Sequence, residues 1–315
     1  MIPQNLTLPI KIGSRGSPLA LIQAQQTRDR LKSAFGLDEK DFEIIAISTK
    51  GDRIQDKPLK DFGGKGLFTS EIEQQLSDGK IDIAVHSMKD VPTVLPVGLI
   101  MTAILPREDV RDAFISVKYN ALKELPEGAV IGSSSLRRAA ILLAMRPDFK
   151  IVNFRGNVQT RLEKLANGDV DATILALAGL NRLGINEVMT HSISAADMLP
   201  AVAQGAIGLE VRDNDVSMIK LLSAINCGES QVEVNMERAF LRALDGSCRT
   251  PIAALAQVYG QQIEFKGKIL TPDGKVVHEV AITAPLNQAE VFGRNLGLEL
   301  LEKAGPDFFE PLYEI

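Results

Sequence analysis

The chain has 315 residues, 45% of them hydrophobic, so it can bury real cores, and its length predicts two or three domains. Its 35 Lys and Arg residues against 40 Asp and Glu give a net charge of −5, which argues against general binding to nucleic acid or to an anionic membrane. The N-terminal residues lack a basic segment followed by a long apolar run, and no other stretch approaches a membrane span, so a cytoplasmic location is expected. Cys227 and Cys248 are too few for a disulfide framework, which predicts free thiols.

Three sequence elements near the start of the chain recur in the same order further along. The first is a strand that ends in Gly-Ser before a helix, the second is a β-rich run that closes on a Gly turn, and the third is a helix end followed by a buried strand led by Asp. The matched pairs are 11–31 with 129–145, 41–52 with 148–157, and 74–87 with 163–176. This duplication predicts two βαβαβ units with mostly parallel sheets, whose strand-end loops line a cleft between them.

The last third of the chain has a different pattern. Residues 230–246 and 287–304 read as helices, and the segments 251–260, 262–270 and 275–283 between them read as strands joined by tight turns. This order predicts a small α+β domain.

Together these patterns predict an α/β fold of two duplicated domains, similar to periplasmic binding proteins, around a cleft, plus a smaller C-terminal α+β domain. The segments 106–114 and 198–210 are the candidate crossings between the duplicated domains. The predicted domains are 1–105 with 206–223, then 106–205, then 224–315.

Five short motifs place Arg or Lys in turns rich in Gly and Ser. The motifs are GSRGSP at 13–18, FGGKGLF at 62–68, HSMKD at 86–90, SSSLRRA at 133–139 and RGNVQTR at 155–161. Arg offers a planar fork of donors that suits carboxylate or phosphate, while Gly and Ser leave backbone amides open to a ligand. The motifs therefore predict one dispersed site for a small polyanion, with both anion types open.

The order of these motifs resembles the porphobilinogen deaminase family. The segments VHSMKDVP, SSLRR, RGNVQTRL, LPAVAQGAIG and a late Gly-x-Cys loop carry the resemblance, which covers essentially the whole chain. It implies an enzyme, hydroxymethylbilane synthase, that condenses four porphobilinogen molecules into hydroxymethylbilane and releases four ammonia in tetrapyrrole synthesis. It also implies a dipyrromethane cofactor bound by a thioether to Cys248. The chain departs from the usual family pattern at Ser247 and Ala203, where Gly is more common.

The resemblance also implies which residues bind cofactor and substrate. Each porphobilinogen carries an acetate and a propionate, so each added ring brings negative charge that arginines, charged even when partly buried, would offset. The implied cofactor-binding residues are Asp52, Lys65, Lys89, Ser134, Ser135, Arg137, Arg138, Arg155 and Cys248. The implied substrate-binding residues are Arg15, Ser17, Phe68, Arg155, Arg161, Arg182 and Gln204.

Asp90 is the predicted catalytic residue. It follows a predicted buried strand and matches the family's catalytic aspartate. Loss of ammonia from porphobilinogen leaves a cationic carbon, which a carboxylate would stabilise before accepting the proton released on coupling.

Simpler readings stay open for several of these residues. Arg137 and Arg138 suit a solvated helix start, Lys89 with Asp90 suits a surface pair or helix cap, and Phe68 suits a core position. Cys248 alone suits a buried thiol. A two-domain anion-binding or ligand-sensing protein without catalysis is the alternative function.

The remaining expectations concern metals, assembly and His86. The three histidines have no metal-ligand spacing, so no metal is expected. Low aromatic content favours a monomer, and Cys227 is expected to be structural. His86 either shapes the loop that bears Asp90 or is an ordinary packed histidine.

Overall fold

Strands and helices alternate along the chain in the order that the sequence repeats predict. The computed structural model describes residues 6–53, 66–246, 250–305 and 308–309. The strands are β1 Ile10–Arg15, β2 Phe42–Ile47, β3 Ile83–Ser87, β4 Leu99–Ile104, β5 Asp112–Ile115, β6 Val130–Gly132, β7 Lys150–Val152, β8 Ala172–Ala176, β9 His191–Ile193, β10 Ile207–Arg212, β11 Ile252–Tyr259, β12 Gln262–Leu270 and β13 Val277–Pro285. The helices are α1 Pro18–Phe35, α2 Lys50–Arg53, α3 Ser70–Ser77, α4 Leu136–Met145, α5 Val158–Ala166, α6 Leu177–Leu183, α7 Val216–Ser223, α8 Gly228–Ala243 and α9 Ala289–Ala304.

Two five-stranded sheets have the same topology. The first has the order β2-β1-β3-β10-β4 and the second the order β7-β6-β8-β5-β9. In the first, β1 is parallel to β2 and β3, while β10 is antiparallel to both of its neighbours. In the second, β6 is parallel to β7 and β8, while β5 is the antiparallel strand. The predicted duplication and the predicted fold class are both confirmed.

The repeated aspartates make the same local contact in both sheets. Asp82 accepts a hydrogen bond from the backbone N–H of Lys11 at 2.9 Å, and Asp171 accepts one from Val130 at 2.8 Å. Each carboxylate therefore ties the start of a buried strand to the neighbouring parallel strand. A buried backbone N–H needs such a partner.

Serine caps the helix that follows each of the equivalent strands β1 and β6. Ser17 Oγ accepts from the N–H of Ala20 at 3.3 Å, and Ser135 Oγ accepts from the N–H of Arg138 at 3.4 Å. Pro18 opens α1, where its missing N–H costs nothing, and Gly36 ends it with φ 66°. Local capping therefore specifies where these helices begin.

The described residues form two units. The first contains the described residues up to Arg53 together with 66–108 and 205–231, and holds the first sheet; the second contains 109–204 and the described residues from Val232 onwards. Ile12, Ile83 and Leu209 are fully buried in the core of the first sheet, and each such side chain contributes about 1.5–3 kcal/mol.

The third sheet has the order β11-β12-β13 and lies in the second unit. Its strands are antiparallel, as the turn pattern predicts. Leu255 of β11 packs in the same core as Ile131 of β6. Gly293 brings α9 so close to α8 that a Cβ there would lie 2.3 Å from the carbonyl oxygen of Met236. The boundaries of the three predicted domains stay a prediction.

Candidate active site

Arg15 joins the acidic residues of the first group of predicted site residues. It is the last residue of β1, and its side chain is 25% exposed. Its Nε donates to both carboxylate oxygens of Asp52 at 3.2 Å, and its Nη2 also donates to Asp52 Oδ1. Its Nη1 lies 3.7 Å from Asp90 Oδ2. One guanidinium therefore bridges two of the predicted residues.

Asp52 is held as a carboxylate. Burial alone raises its pKa, but the hydrogen bond and charge of Arg15, helped by Thr49, outweigh burial and lower the pKa. Thr49 Oγ1 donates to Asp52 Oδ2 at 2.8 Å. The ring of Phe68 lies under the Arg15 guanidinium, with 4.3 Å from Cζ to the ring centroid, a cation–π distance. Phe68 is thus in contact with the site and is only half-buried.

Lys89 and Asp90 lie on a single 3₁₀ turn at the end of β3. The turn comprises Met88–Asp90, and the N–H of Val91 donates back to the Met88 carbonyl at 3.2 Å. Lys89 is exposed and Asp90 is half-buried. The carboxyl ends of parallel strands are where α/β sheets place their ligand sites. Asp90 caps no helix among those described, so the capping alternative is wrong.

Arg137 and Arg138 are buried beside Asp112 in the second unit. They are only 4% and 7% exposed, so the alternative of a solvated helix start is wrong. Arg137 Nη2 donates to Asp112 Oδ2 at 2.6 Å, and Arg138 Nη2 donates to Asp112 Oδ1 at 2.8 Å. Their Nη1 atoms donate to the carbonyls of Leu199 and Ile174. Sequence reasoning missed Asp112, because the segment 106–114 indicated only a crossing between domains.

Unused donors remain on this arginine pair. Among the described residues, the Nε atoms of Arg137 and Arg138 are buried without a hydrogen-bond partner. A buried donor left unsatisfied costs about 1–3 kcal/mol. These donors fit an anionic ligand, because Arg presents several N–H groups and Asp112 occupies only some of them.

Positive charge accumulates around the same arginines. Burial, followed by the charges of Arg138 and Arg155, lowers the pKa of Arg161 to about 10. Arg161 stays protonated at neutral pH, so its proximity to two like charges costs free energy until an anion joins them. Arg155 is buried and Arg161 half-buried. Arg161 Nε donates to the Gly156 carbonyl at 2.9 Å.

The predicted serines are engaged with the backbone. Ser134 Oγ donates to Asn153 Oδ1 at 2.7 Å and accepts from the N–H of Phe154 at 3.0 Å. Ser17 and Ser135 are the helix caps described above. Their hydroxyls therefore have structural partners, and their binding roles stay predictions.

Gln204 also reaches Asp112, with Nε2 donating to Oδ1 at 2.9 Å. It lies on the second predicted crossing segment and is 1% exposed. Its neighbour Ala203 has φ 59°, the left-handed region that normally favours Gly. Arg182 is half-buried on α6.

Two predicted residues lie outside the described part of the chain: Cys248 and Lys65. Within the described ranges, no helix is long and apolar enough to cross a membrane. Over the same residues, no cluster of three His, Cys, Asp or Glu side chains is placed to hold a metal ion. The absence of a metal stays a prediction.

These features define a class of protein: a duplicated α/β fold with a smaller third sheet and a buried pair of arginines around Asp112. A family model described as "Porphobilinogen deaminase, dipyromethane cofactor binding domain" matches residues 10–220. A second, "Porphobilinogen deaminase, C-terminal domain", matches residues 231–302. The chain belongs to the porphobilinogen deaminase family.

Two relatives match nearly the whole chain, and one solved structure matches part of it. A porphobilinogen deaminase of Paracoccus denitrificans (strain Pd 1222) is 54% identical over 308 residues, which cover 98% of this chain and 97% of that protein. A chloroplastic porphobilinogen deaminase of Oryza sativa subsp. japonica is 54% identical over 309 residues, covering 96% and 86%. A periplasmic substrate-binding protein of Coxiella burnetii aligns in structure with a TM-score of 0.43 at 17% identity, covering 70% of this chain and 94% of its own.

Membership confirms the expected activity. The chain is an enzyme of tetrapyrrole precursor synthesis, a hydroxymethylbilane synthase, and its larger matched region is a dipyrromethane cofactor binding domain. The alternative of a binding protein without catalysis is not favoured.

Proposed function

We propose that Asp90 is the catalytic residue and that the arginine cluster of the second unit binds the carboxylates of cofactor and substrate. The observation that carries the proposal is the pair of buried, unpartnered Nε donors on Arg137 and Arg138, seen among the described residues. They lie beside further positive charge from Arg155 and Arg161. This donor set suits a ligand rich in carboxylates.

The residues present also suit the dipyrromethane group. Cys248 would attach it, and Arg137, Arg138 and Arg155 would bind its carboxylates, with Ser134, Ser135, Lys65, Lys89 and Asp52 as the other predicted contacts. When bound, the group supplies a covalent primer for ring addition. We propose that Arg15, Ser17, Phe68, Arg161, Arg182 and Gln204 bind the substrate rings.

Asp90 acts on the substrate at the end of β3. As ammonia leaves the aminomethyl carbon of porphobilinogen, positive charge develops there, and the carboxylate stabilises it. A pyrrole α-carbon then forms the new carbon–carbon bond, and Asp90 accepts the proton that this carbon releases. Arg15 orients Asp90, because its guanidinium is fixed on Asp52 and lies 3.7 Å from the Asp90 carboxylate.

Two variants test the division of roles. Asp90→Ala is expected to keep a covalent mass increment equal to dipyrromethane while kcat falls by about 10²–10⁴. Cys248→Ala is expected to lack the increment altogether. Near-normal turnover by Asp90→Ala would defeat the catalytic assignment, and full activity of Cys248→Ala without added mass would defeat the attachment.

We further propose that the enzyme works on free porphobilinogen as a cytoplasmic monomer, with no nucleic-acid or membrane partner. The acidic net charge of −5 supports the last point. Light scattering after size-exclusion chromatography checks the assembly: a mass near 34.2 kDa is expected, and a multiple of it would contradict the monomer.

A further inference from the structure

Three ionisable side chains lie buried together in the first sheet, and the proposed mechanism uses none of them. Nε2 of His86 on β3 is hydrogen-bonded to Oε2 of Glu210 on β10 at 2.9 Å, and the two side chains are 3% and 0% exposed. Glu73 of α3 is 7% exposed and close enough to interact with both. We call these residues the buried triad.

Burying the three ionisable side chains of the triad in a protein core costs free energy. Burial raises the pKa of Glu73, and this effect, together with the negative charge of Glu210, outweighs the lowering effects of Thr69 and His86. Among the described residues, Glu210 Oε1 is buried without a hydrogen-bond partner. Apolar side chains of similar volume often make a core as stable as, or more stable than, a buried ionic group.

In the second sheet, which has the same topology, apolar residues occupy the positions that correspond to the buried triad. His86 in the first sheet corresponds to Leu175 in the second sheet, because β3 pairs with β1 in the same register as β8 pairs with β6. Glu210 aligns with Ile115, since each is opposite the equivalent strand residue, Ala84 or Thr173.

The third member of the triad follows the same rule. The helix ends at Asp78 and Asn167 have matching backbone hydrogen bonds, so Glu73 aligns with Leu162. Leu162, Leu175 and Ile115 all pack in one apolar core. The fold itself therefore does not require charge at these three positions.

What distinguishes the first sheet is the turn that follows β3. Ser87 is hydrogen-bonded to Gln23, at 2.9 Å from Gln23 Nε2, and the N–H of Met88 donates to the Ala206 carbonyl at 3.0 Å. Met88 packs so closely on Gly208 that a Cβ there would lie 2.1 Å from its sulfur. With His86 bonded to Glu210, each of the three residues before Lys89 has a fixed contact.

We propose that the buried triad positions the turn that carries Lys89 and Asp90, with the His86–Glu210 hydrogen bond as the fixing contact. His86, Glu210 and Glu73 are positioning residues, since they act through the turn. The inference rests on the proposed role of Asp90. A displacement near 1 Å can cost about a hundredfold in rate, so the second sheet, which carries no such turn, has no need of a triad.

The test replaces the buried triad by the corresponding apolar residues of the second sheet. The swap variant is Glu73→Leu with His86→Leu and Glu210→Ile. It is expected to fold with a Tm equal to or above that of the parent and to keep its covalent cofactor. Its kcat is expected to fall at least about tenfold, with KM within about threefold, because substrate-binding residues are untouched. Amide exchange at Met88 and Val91 is expected to accelerate.

Two further variants give controls. His86→Gln retains a side-chain donor for Glu210, so its kcat is expected to stay within about threefold of the parent. Thr173→Val removes a buried hydroxyl that donates to the Gly132 carbonyl at 2.8 Å in the equivalent strand β8. It is expected to leave kcat and exchange of the turn unchanged.

Each adverse result overturns the inference. A folded swap variant with parental kcat would show that the triad does not position the turn, and an unfolded one would show that the fold needs it. A His86→Gln loss as large as that of the swap variant would exclude the hydrogen bond as the fixing contact. Asp90→Ala, measured alongside, separates the two proposals. If Asp90→Ala retains turnover, the catalytic role of Asp90 is wrong. If Asp90→Ala loses turnover while the swap variant is fully active, only the positioning role of the buried triad is wrong.

Discussion

Replacing Asp112 by Asn probes the arginine pair most sharply. Asp112 is fully buried and accepts from Arg137, Arg138 and Gln204 at 2.6, 2.8 and 2.9 Å. Asn keeps one acceptor oxygen but turns an N–H₂ group toward a guanidinium, which leaves two buried positive charges without a counter-ion. Breaking a buried pair in this way costs about 3–5 kcal/mol, a large part of the roughly 5–15 kcal/mol that stabilises a typical domain.

The pH dependence of this effect follows from the direction of the pKa shift. Burial alone raises the pKa of Asp112, but Arg137 and Arg138 outweigh burial and hold the pKa far below its usual range. A carboxyl with a lowered folded pKa stabilises the protein above its unfolded value, about 3.9, and this contribution is lost as the pH falls toward the folded value. The difference between parent and variant is therefore expected to be full at pH 7 and to shrink below about pH 4.

Urea unfolding followed by circular dichroism at pH 7 and at low pH measures this difference. Asp169→Asn is the matched control in the same unit, because Asp169 is exposed, and it is expected to change the free energy of unfolding by less than about 0.5 kcal/mol. A loss under about 1 kcal/mol for Asp112→Asn at pH 7 would refute the reasoning, since a buried pair broken on one side costs several times more.

Three further predictions concern charge, capping and packing in the second unit. Arg161→Gln is expected to stabilise the cofactor-free protein by up to about 1 kcal/mol, because repulsion between like charges falls. The same variant is expected to stall elongation at particular ring numbers. Equal depletion of all intermediates, measured by mass spectrometry, would contradict the idea that Arg161 contacts particular rings. Asn157→Ala removes the cap that accepts from Thr160 at 2.9 Å and is expected to cost about 1 kcal/mol in urea unfolding; an unchanged midpoint contradicts it. Gly293→Ala forces α9 from the Met236 carbonyl and is expected to lower stability by about 1–3 kcal/mol; a higher Tm would show that the helices separate freely.

The duplicated sheets were predictable because their signals are local. Apolar runs, Gly turns and Ser caps at residues such as Ser17 and Ser135 act within a few positions of the chain. The antiparallel strands β5 and β10 were not predicted, because each completes a sheet by pairing with residues far away in sequence. The cleft between the duplicated domains stays a prediction.

The site was predictable in its residue types and less so in its contacts. Arg137 and Arg138 were expected to bind anions, but their burial against Asp112 depends on a strand that the local pattern does not reveal. Likewise the pairing of His86 with Glu210 joins residues 124 positions apart. The only local signal for Asp112 was a charged residue directly before a short apolar run.

The central claim is that this enzyme builds a chain of pyrrole rings on Cys248 with Asp90 as its acid–base group. Intact-protein mass spectrometry during incubation with porphobilinogen tests it most directly. The expected resting mass exceeds that of the sequence by one dipyrromethane, and discrete covalent increments of one ring then follow, about 10²–10⁴ times more slowly in Asp90→Ala. A resting mass equal to that of the sequence, with turnover but no covalent increments, would rule out growth of the product on Cys248.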